Sequence, residues 1–266
     1  MKKPFPAEWA RHASEAKYPS LWRGLRGLWV PPVQIRGGAS DLVDLTGRGQ
    51  TFTVTASNVG ETTTPLAKTL SITSPAGGWQ VAASDILALD NSTAGTIVYC
   101  FQYRVFDNYT DLIRGDQSGS NSYVSILGDN TSGIMYANGS YQISLTWSTA
   151  FVAGGYYSLV VRNAPGWPGN DLSVFQNGVV INTKSALTNT FQFEYVDEVQ
   201  TNVFSIATYD RPLHNIEIAL WNNDFFAAVR KDEFVPFPAV VVGGATPQLV
   251  NGGLVNAGLI NTGLAA

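Results

Sequence analysis

The feature that most restricts this chain is its punctuation. From about residue 25 to residue 208, short segments rich in β-branched and aromatic residues are each bounded by Gly, Asn, Asp, Ser or Pro. Such spacing leaves little room for long helices and predicts many short strands joined by turns, as in a sandwich or barrel. The expected strands are 25–30, 51–56, 68–73, 78–82, 95–106, 122–127, 133–137, 141–146, 156–162, 171–176, 179–182, 191–195 and 202–208. Asn177-Gly178, between Val174-Phe175-Gln176 and Val179-Val180-Ile181, is the strongest local signal. Both residues tolerate the positive φ that a two-residue type I′ hairpin requires.

Two segments break the strand pattern. Residues 7–18 are Ala-rich, with Glu8 early, Lys17 late and Pro19 beyond, which predicts a short helical arm. Near the other end, residues 214–221 place Ile216, Leu220 and Trp221 on one helical face. The implied organisation is an arm over 1–20, a sandwich over 21–237 and a tail over 238–266. The tail is apolar, uncharged and repeats every five residues, with Leu249, Leu254, Val255, Leu259, Ile260 and Leu264 as its apolar positions. An exposed tail of this kind would aggregate, so it is expected to dock on a partner subunit or on identical tails.

Charge and targeting narrow the function classes. Net charge is −4 and no Lys/Arg cluster occurs, so the basic stripe that neutralises nucleic-acid phosphates is lacking. No apolar run is long enough to span a membrane, and no secretory signal peptide is recognised at the N-terminus. Synthesis in a reducing cytoplasm is expected. On that reading the N-x-Ser/Thr sites at Asn91, Asn108, Asn130 and Asn138 are turn residues. Cys100, within Ile97-Val98-Tyr99-Cys100-Phe101, reads as core.

Three stretches carry a family resemblance. Residues 21–31 (Leu21-Trp22-Arg23-Gly24-Leu25-Arg26-Gly27-Leu28-Trp29-Val30-Pro31), with Asp44-Leu45-Thr46-Gly47-Arg48-Gly49, form the first. Asp171-Leu172-Ser173-Val174-Phe175-Gln176-Asn177-Gly178-Val179-Val180 forms the second. Phe204-Ser205-Ile206-Ala207-Thr208-Tyr209-Asp210-Arg211-Pro212-Leu213-His214-Asn215-Ile216-Glu217-Ile218 forms the third. In this order they resemble the opening strands, hairpin and closing strand–helix of laminin-G-like, concanavalin A-like jelly-roll domains of phage and prophage type. The resemblance implies an all-β jelly-roll β-sandwich with an N-terminal helical arm, one late helix and an extended C-terminal tail. It implies a non-enzymatic virion structural protein, such as a head-decoration or fibre-like subunit. Capsid or other virion proteins would be its partners, in a homo-oligomer, without nucleic acid or membrane insertion.

Two alternatives stay open. A lectin-like adhesion module would bind host surface glycans through loop aromatics, for which Trp147, Tyr156 and Trp167 are the candidates, with Tyr157 beside them. Trp22, Trp29 and Trp79 sit in strand-like runs and read as core. A glycoside hydrolase would need two carboxylates about 5 Å apart. Glu194 and Glu198 share strand parity, but Asp197 does not, and these acids read as a solvated strand edge. His12 and His214 are the only histidines, so no catalytic or zinc-binding set is expected, and no cofactor. Calcium stays possible through Asp107, Asn108, Asp111, Asp116, Asp129, Asn130, Asn170 and Asp171, each also a turn former.

Overall fold

In the computed structural model, period-two alternation resolves into eighteen strands among the described residues. Those residues are 9–34, 41–54, 59–72, 79–81, 87–105, 109–115, 121–167, 171–196 and 200–232. The first strands are β1 (Leu25–Trp29), β2 (Leu42–Val43), β3 (Thr51–Val54), β4 (Val59–Thr63), β5 (Lys68–Ile72) and β6 (Trp79–Val81). Next come β7 (Leu87–Leu89), β8 (Gly95–Val105), β9 (Tyr109–Gly115), β10 (Ser122–Leu127), β11 (Ser132–Ala137) and β12 (Ser140–Thr146). Then follow β13 (Tyr156–Asn163), β14 (Leu172–Gln176), β15 (Val179–Lys184), β16 (Phe191–Phe193), β17 (Tyr195–Val196) and β18 (Gln200–Tyr209). A single helical turn, α1 (Pro31–Gln34), follows β1, and the helix α2 (Asn215–Asn223) follows β18.

Two antiparallel sheets stack as a jelly-roll β-sandwich. Sheet 1 runs β15-β14-β13-β8-β18-β5-β4, with β1 also on β18. β5 pairs with Asn202 and Val203 at the start of β18, while β1 pairs with its end, from Ile206 to Tyr209. Sheet 2 runs β12-β11-β10-β9-β17-β6-β3-β2. The chain crosses between the sheets repeatedly, so the central pair β8–β18 joins residues about a hundred positions apart, Phe101 opposite Val203. The small β16–β7 pair adds Leu87, Leu89, Phe191 and Phe193 to the core between the sheets.

Two separate apolar layers hold this arrangement. The first lies between the sheets and takes alternate residues from each strand: Ile97, Tyr99, Phe101 and Tyr103 from β8 face Val124, Ile126, Met135, Ile143 and Leu145. The second lies on the outer face of sheet 1. There Val98, Cys100, Val160, Phe175, Phe204, Ala207 and Tyr209 pack under α2 and residues 226–229. β8 is thus apolar on both faces, which is why 97–101 reads as an unbroken apolar run. Cys100 is fully buried, and burial pushes its thiol up to about 12, so no thiolate forms near neutral pH.

The helix α2 buries a face rotated slightly from the expected one: Trp221 lies on it and Leu220 packs at its edge, but Ile216 does not. Ile218 and Trp221 are buried, whereas Ile216 is 70% exposed. The register is set by Glu217 at the third helical position. Its carboxylate accepts the His214 amide (2.9 Å) and both guanidinium arms of Arg211 (2.6 and 2.8 Å). That bidentate pair turns Trp221 inward, where its Nε1 donates to the Tyr209 hydroxyl at 3.1 Å. Arg211 also donates to the carbonyls of Ser20 and Arg23, tying in the 3₁₀ turn Pro19–Trp22.

The helix expected over 7–18 is not formed across its described part. Residues 9–18 contain turns and two isolated bridges, Trp9 to Arg230 and Ala16 to Lys231. A helix this short is marginal in water, and the segment instead spends backbone groups on residues 229–232. The Ala10 amide donates to the Val229 carbonyl and the Lys17 amide to the Arg230 carbonyl, both at 2.8 Å. Trp9 meets the Phe226 ring edge at 5.5 Å, and Trp22 Nε1 donates to the Ala228 carbonyl at 2.6 Å. The chain therefore enters at Trp9 and leaves at Asp232 side by side, on the layer that covers sheet 1. Trp29 is fully buried as expected; the side chain of Trp79 and all of 233–266, including the tail positions named above, lie outside the described residues.

Candidate functional site

The three aromatic residues singled out from sequence are not brought together. Trp147 follows β12 in a loop as expected, but its ring belongs to the core, a correction to its expected exposure: it is 5% exposed, donates Nε1 to the Ser132 carbonyl (2.7 Å) and meets the Phe151 ring edge-on. The chain turns back after β12 so that this indole covers Gly133, where any Cβ would lie 2.4 Å from the ring. Tyr156 is half-buried against Phe204 on the outer face of sheet 1, and its hydroxyl is buried there without a hydrogen-bond partner. Tyr157 is buried, its hydroxyl held between the Val152 amide and the Ala150 carbonyl.

Trp167 alone of the three presents its ring to solvent, at 36% exposure. It stacks on His214 at 5.5 Å and lies 5.4 Å from the Arg162 guanidinium carbon. Arg162 is wedged between Trp167 and Phe175 and donates to the Leu213 carbonyl (3.1 Å) and Asn215 Oδ1 (2.7 Å). Burial lowers its pKa, though it stays charged. This cluster joins the β13–β14 loop to the start of α2.

The candidate acids are dispersed. Glu194 is 7% exposed between β16 and β17, while Asp197 and Glu198 lie outside the described residues. Asp129 caps a turn by accepting from Ser132 Oγ, Ser132 N and Thr131 N at 2.7–3.0 Å, and these bonds, led by Ser132, pull its pKa to about 2. Asp111 is buried between Ser125 and Arg114, and Asp171 is half-buried. Asn130 and Asn138 adopt left-handed backbone, φ 59° and 46°, as turn residues do. Asp107, Asn108, Asp116 and Asn170 lie outside the described residues, among which no group of three or more His, Cys, Asp or Glu is placed to hold a metal.

A feature not anticipated from sequence lies on the outer face of sheet 2. Val124 and Ile126 of β10, Met135 and Ala137 of β11, and Ile143 and Leu145 of β12 point to the inter-sheet core. On β10 and β11 the alternate positions place Tyr123 and Tyr136 on the opposite face, and a bulge at Gln142 in β12, between the Ile143–Met135 and Tyr141–Tyr136 pairs, brings Tyr141 to that face as well, so the three form a row across three strands. Tyr123 and Tyr136 are directly opposed and stack at 4.8 Å with planes 21° apart. Tyr141 is opposite Tyr136 and meets it at 5.8 Å and 77°. Arg114 of β9 pairs with Tyr123 at the far end, 3.8 Å from the Asp111 carboxylate. Half of this row carries a sequence signal. Asn138-Gly139 is a second two-residue hairpin with positive φ at both positions, and it makes Tyr136 and Tyr141 cross-strand neighbours.

No protein-family model matches the chain, and neither does any curated protein sequence. Solved structures do. The Trypanosoma rangeli sialidase aligns with 77% of this chain at TM-score 0.54 and 15% identity. The receptor-binding domain of botulinum neurotoxin D aligns with 75% at TM-score 0.57 and 13% identity. The binding domain of Paraclostridial Mosquitocidal Protein 1 aligns with 76% at TM-score 0.50 and 15% identity. The alignments span 33% of the sialidase and 52% of each toxin-domain chain. At such identities the likeness establishes the β-sandwich fold alone.

Proposed function

We propose that this chain is a non-enzymatic recognition module of a virus particle, a jelly-roll held at one outer face and binding glycans with the other. The observation that carries this is the polarity of the sandwich. Both ends of the described chain, Trp9 and Asp232, meet on the layer over sheet 1, whereas the tyrosine row lies on the outer face of sheet 2. Attachment made at Trp9 or Asp232 would leave the tyrosines pointing outward. Two structural neighbours are binding domains, and the third is a sialidase also seen with sialic acid, which supports a sugar-directed reading. The phage-type motifs and the five-residue repeat of the tail support a virion setting, with capsid or other virion proteins as partners and the tail as the device that joins copies.

A glycan array probed with the full chain tests the binding half: saturable binding to a defined glycan set is expected, and a flat array overturns it. Deleting residues 239–266 tests the other half. The shortened chain is expected to stay folded and to bind glycans, but to lose oligomerisation and incorporation into particles; full retention of both overturns the assembly role.

A further inference from the structure

We infer that Tyr141, Tyr136 and Ser144 form a binding site for a single neutral pyranose ring, an inference that rests on the glycan-binding reading above. The Tyr141 hydroxyl shares a 2.5 Å hydrogen bond with Ser144 Oγ three residues along the same strand, so the ring lies along β12 and not upright. It is 50% exposed. Tyr136 stands at 77° to it and forms a wall, and Tyr123 stacked behind Tyr136 keeps that wall from rotating. The result is a floor and a side, both aromatic, on the terminal strand of sheet 2.

A pyranose has the matching shape: a flat face of axial C–H groups and a rim of hydroxyls. The C–H groups carry partial positive charge and settle on the negative face of the Tyr141 ring. Rim hydroxyls then reach the phenol of Tyr136 and the Tyr141–Ser144 pair, which both donate and accept. Tyrosine loses little rotamer entropy on binding, and here hydrogen bonding and stacking fix the rings in advance. Charge selects the sugar class. Arg114 lies at the opposite end of the row, beyond Tyr123, and is engaged with Asp111, and Lys184 of β15 donates its ammonium to the buried Gln142 side chain at 3.0 Å, so neither cation is placed as a dedicated partner for a carboxylated sugar at Tyr141. The Trp167 ring is less suited, since His214 stacks on it.

The test is saturation-transfer NMR and titration of the full chain with methyl β-D-glucopyranoside, methyl β-D-galactopyranoside and methyl α-D-mannopyranoside, against N-acetylneuraminic acid. At least one neutral glycoside is expected to bind saturably and in preference to the acid. Tyr141→Ala is expected to weaken it by about tenfold or more, equivalent to roughly 1.4 kcal/mol. Tyr141→Phe, which keeps the ring face, is expected to retain most binding, and Trp167→Ala all of it. Thermal melts of each variant exclude loss by unfolding. Unchanged binding in Tyr141→Ala, loss in Trp167→Ala, or preference for the acidic sugar overturns this site while the glycan-binding reading stands. Absence of saturable binding by every probe, together with a flat glycan array, overturns both.

Discussion

The outer faces of the two sheets differ in what covers them. On sheet 1, Val98, Cys100, Phe204 and Tyr209 lie beneath Leu213, Ile218, Trp221 and residues 226–229, so its central strands are buried on both sides. On sheet 2, Gln142 is buried at a bulge before Ile143, but Ser144 and Thr146, beside Leu145, are exposed, and Tyr141 stands half in solvent. The outer face of sheet 1 is built for stability and carries the ends of the described chain; that of sheet 2 leaves Tyr141, Ser144 and Thr146 in solvent among the described residues. Substitutions on the two faces should therefore separate stability from binding.

Trp221→Ala should have the largest effect. It empties the centre of the outer layer and removes the indole bond to Tyr209, and a loss of about 3–5 kcal/mol is expected in denaturant unfolding. Glu217→Gln comes next, at about 1.5–3 kcal/mol, because it removes the charged half of the bond to Arg211. Burial works against the Glu217 carboxylate, but hydrogen bonds from Arg211 and the His214 amide outweigh it and hold its pKa below the ordinary 4.5. A group whose pKa falls on folding stabilises the native state above its unfolded pKa, and that contribution is lost as pH drops through the folded value. Melts should therefore show wild type losing this increment below about pH 4.5, with Glu217→Gln declining less steeply over the same range, since Asp129 and Asp90 still titrate there with lowered pKa values.

Gly139→Ala is expected to cost about 1 kcal/mol. No atom lies within 4 Å of the added Cβ, yet its φ of +71° strains any side chain. It should also weaken sugar binding by loosening the register between Tyr136 and Tyr141. Tyr141→Ala should be the mildest for stability, within about 0.5 kcal/mol by thermal unfolding, and the most damaging for binding.

How much of this could be read from the sequence depended on whether the signal was local. Asn177-Gly178 announced its hairpin, and φ of 52° and 75° place both residues where such a turn requires. The strand β8 was legible as an apolar run because both of its faces are buried there, and β18 by its β-branched and aromatic residues. β4 was not, since Val59–Thr63 has one buried residue and is held by backbone pairing to β5. β9 was obscured by a bulge, which sets Leu112 and Ile113 consecutively into the core and breaks the alternation. Trp147 looked like a loop ring because nothing near it in sequence announces Gly133 as its seat. The tyrosine row was missed for the same reason: its full extent depends on the register of three strands, and only the Tyr136–Tyr141 half is written in a local turn.

The claim that the faces divide attachment from recognition is tested most directly by an amide NMR titration of the full chain with the neutral glycoside that binds best. Shift changes are expected to be confined to β10–β12, centred on Tyr136, Tyr141 and Ser144, with residues 213–231 unmoved. Changes centred on the layer over sheet 1, around Trp221 or the Trp9–Arg230 bridge, would contradict it.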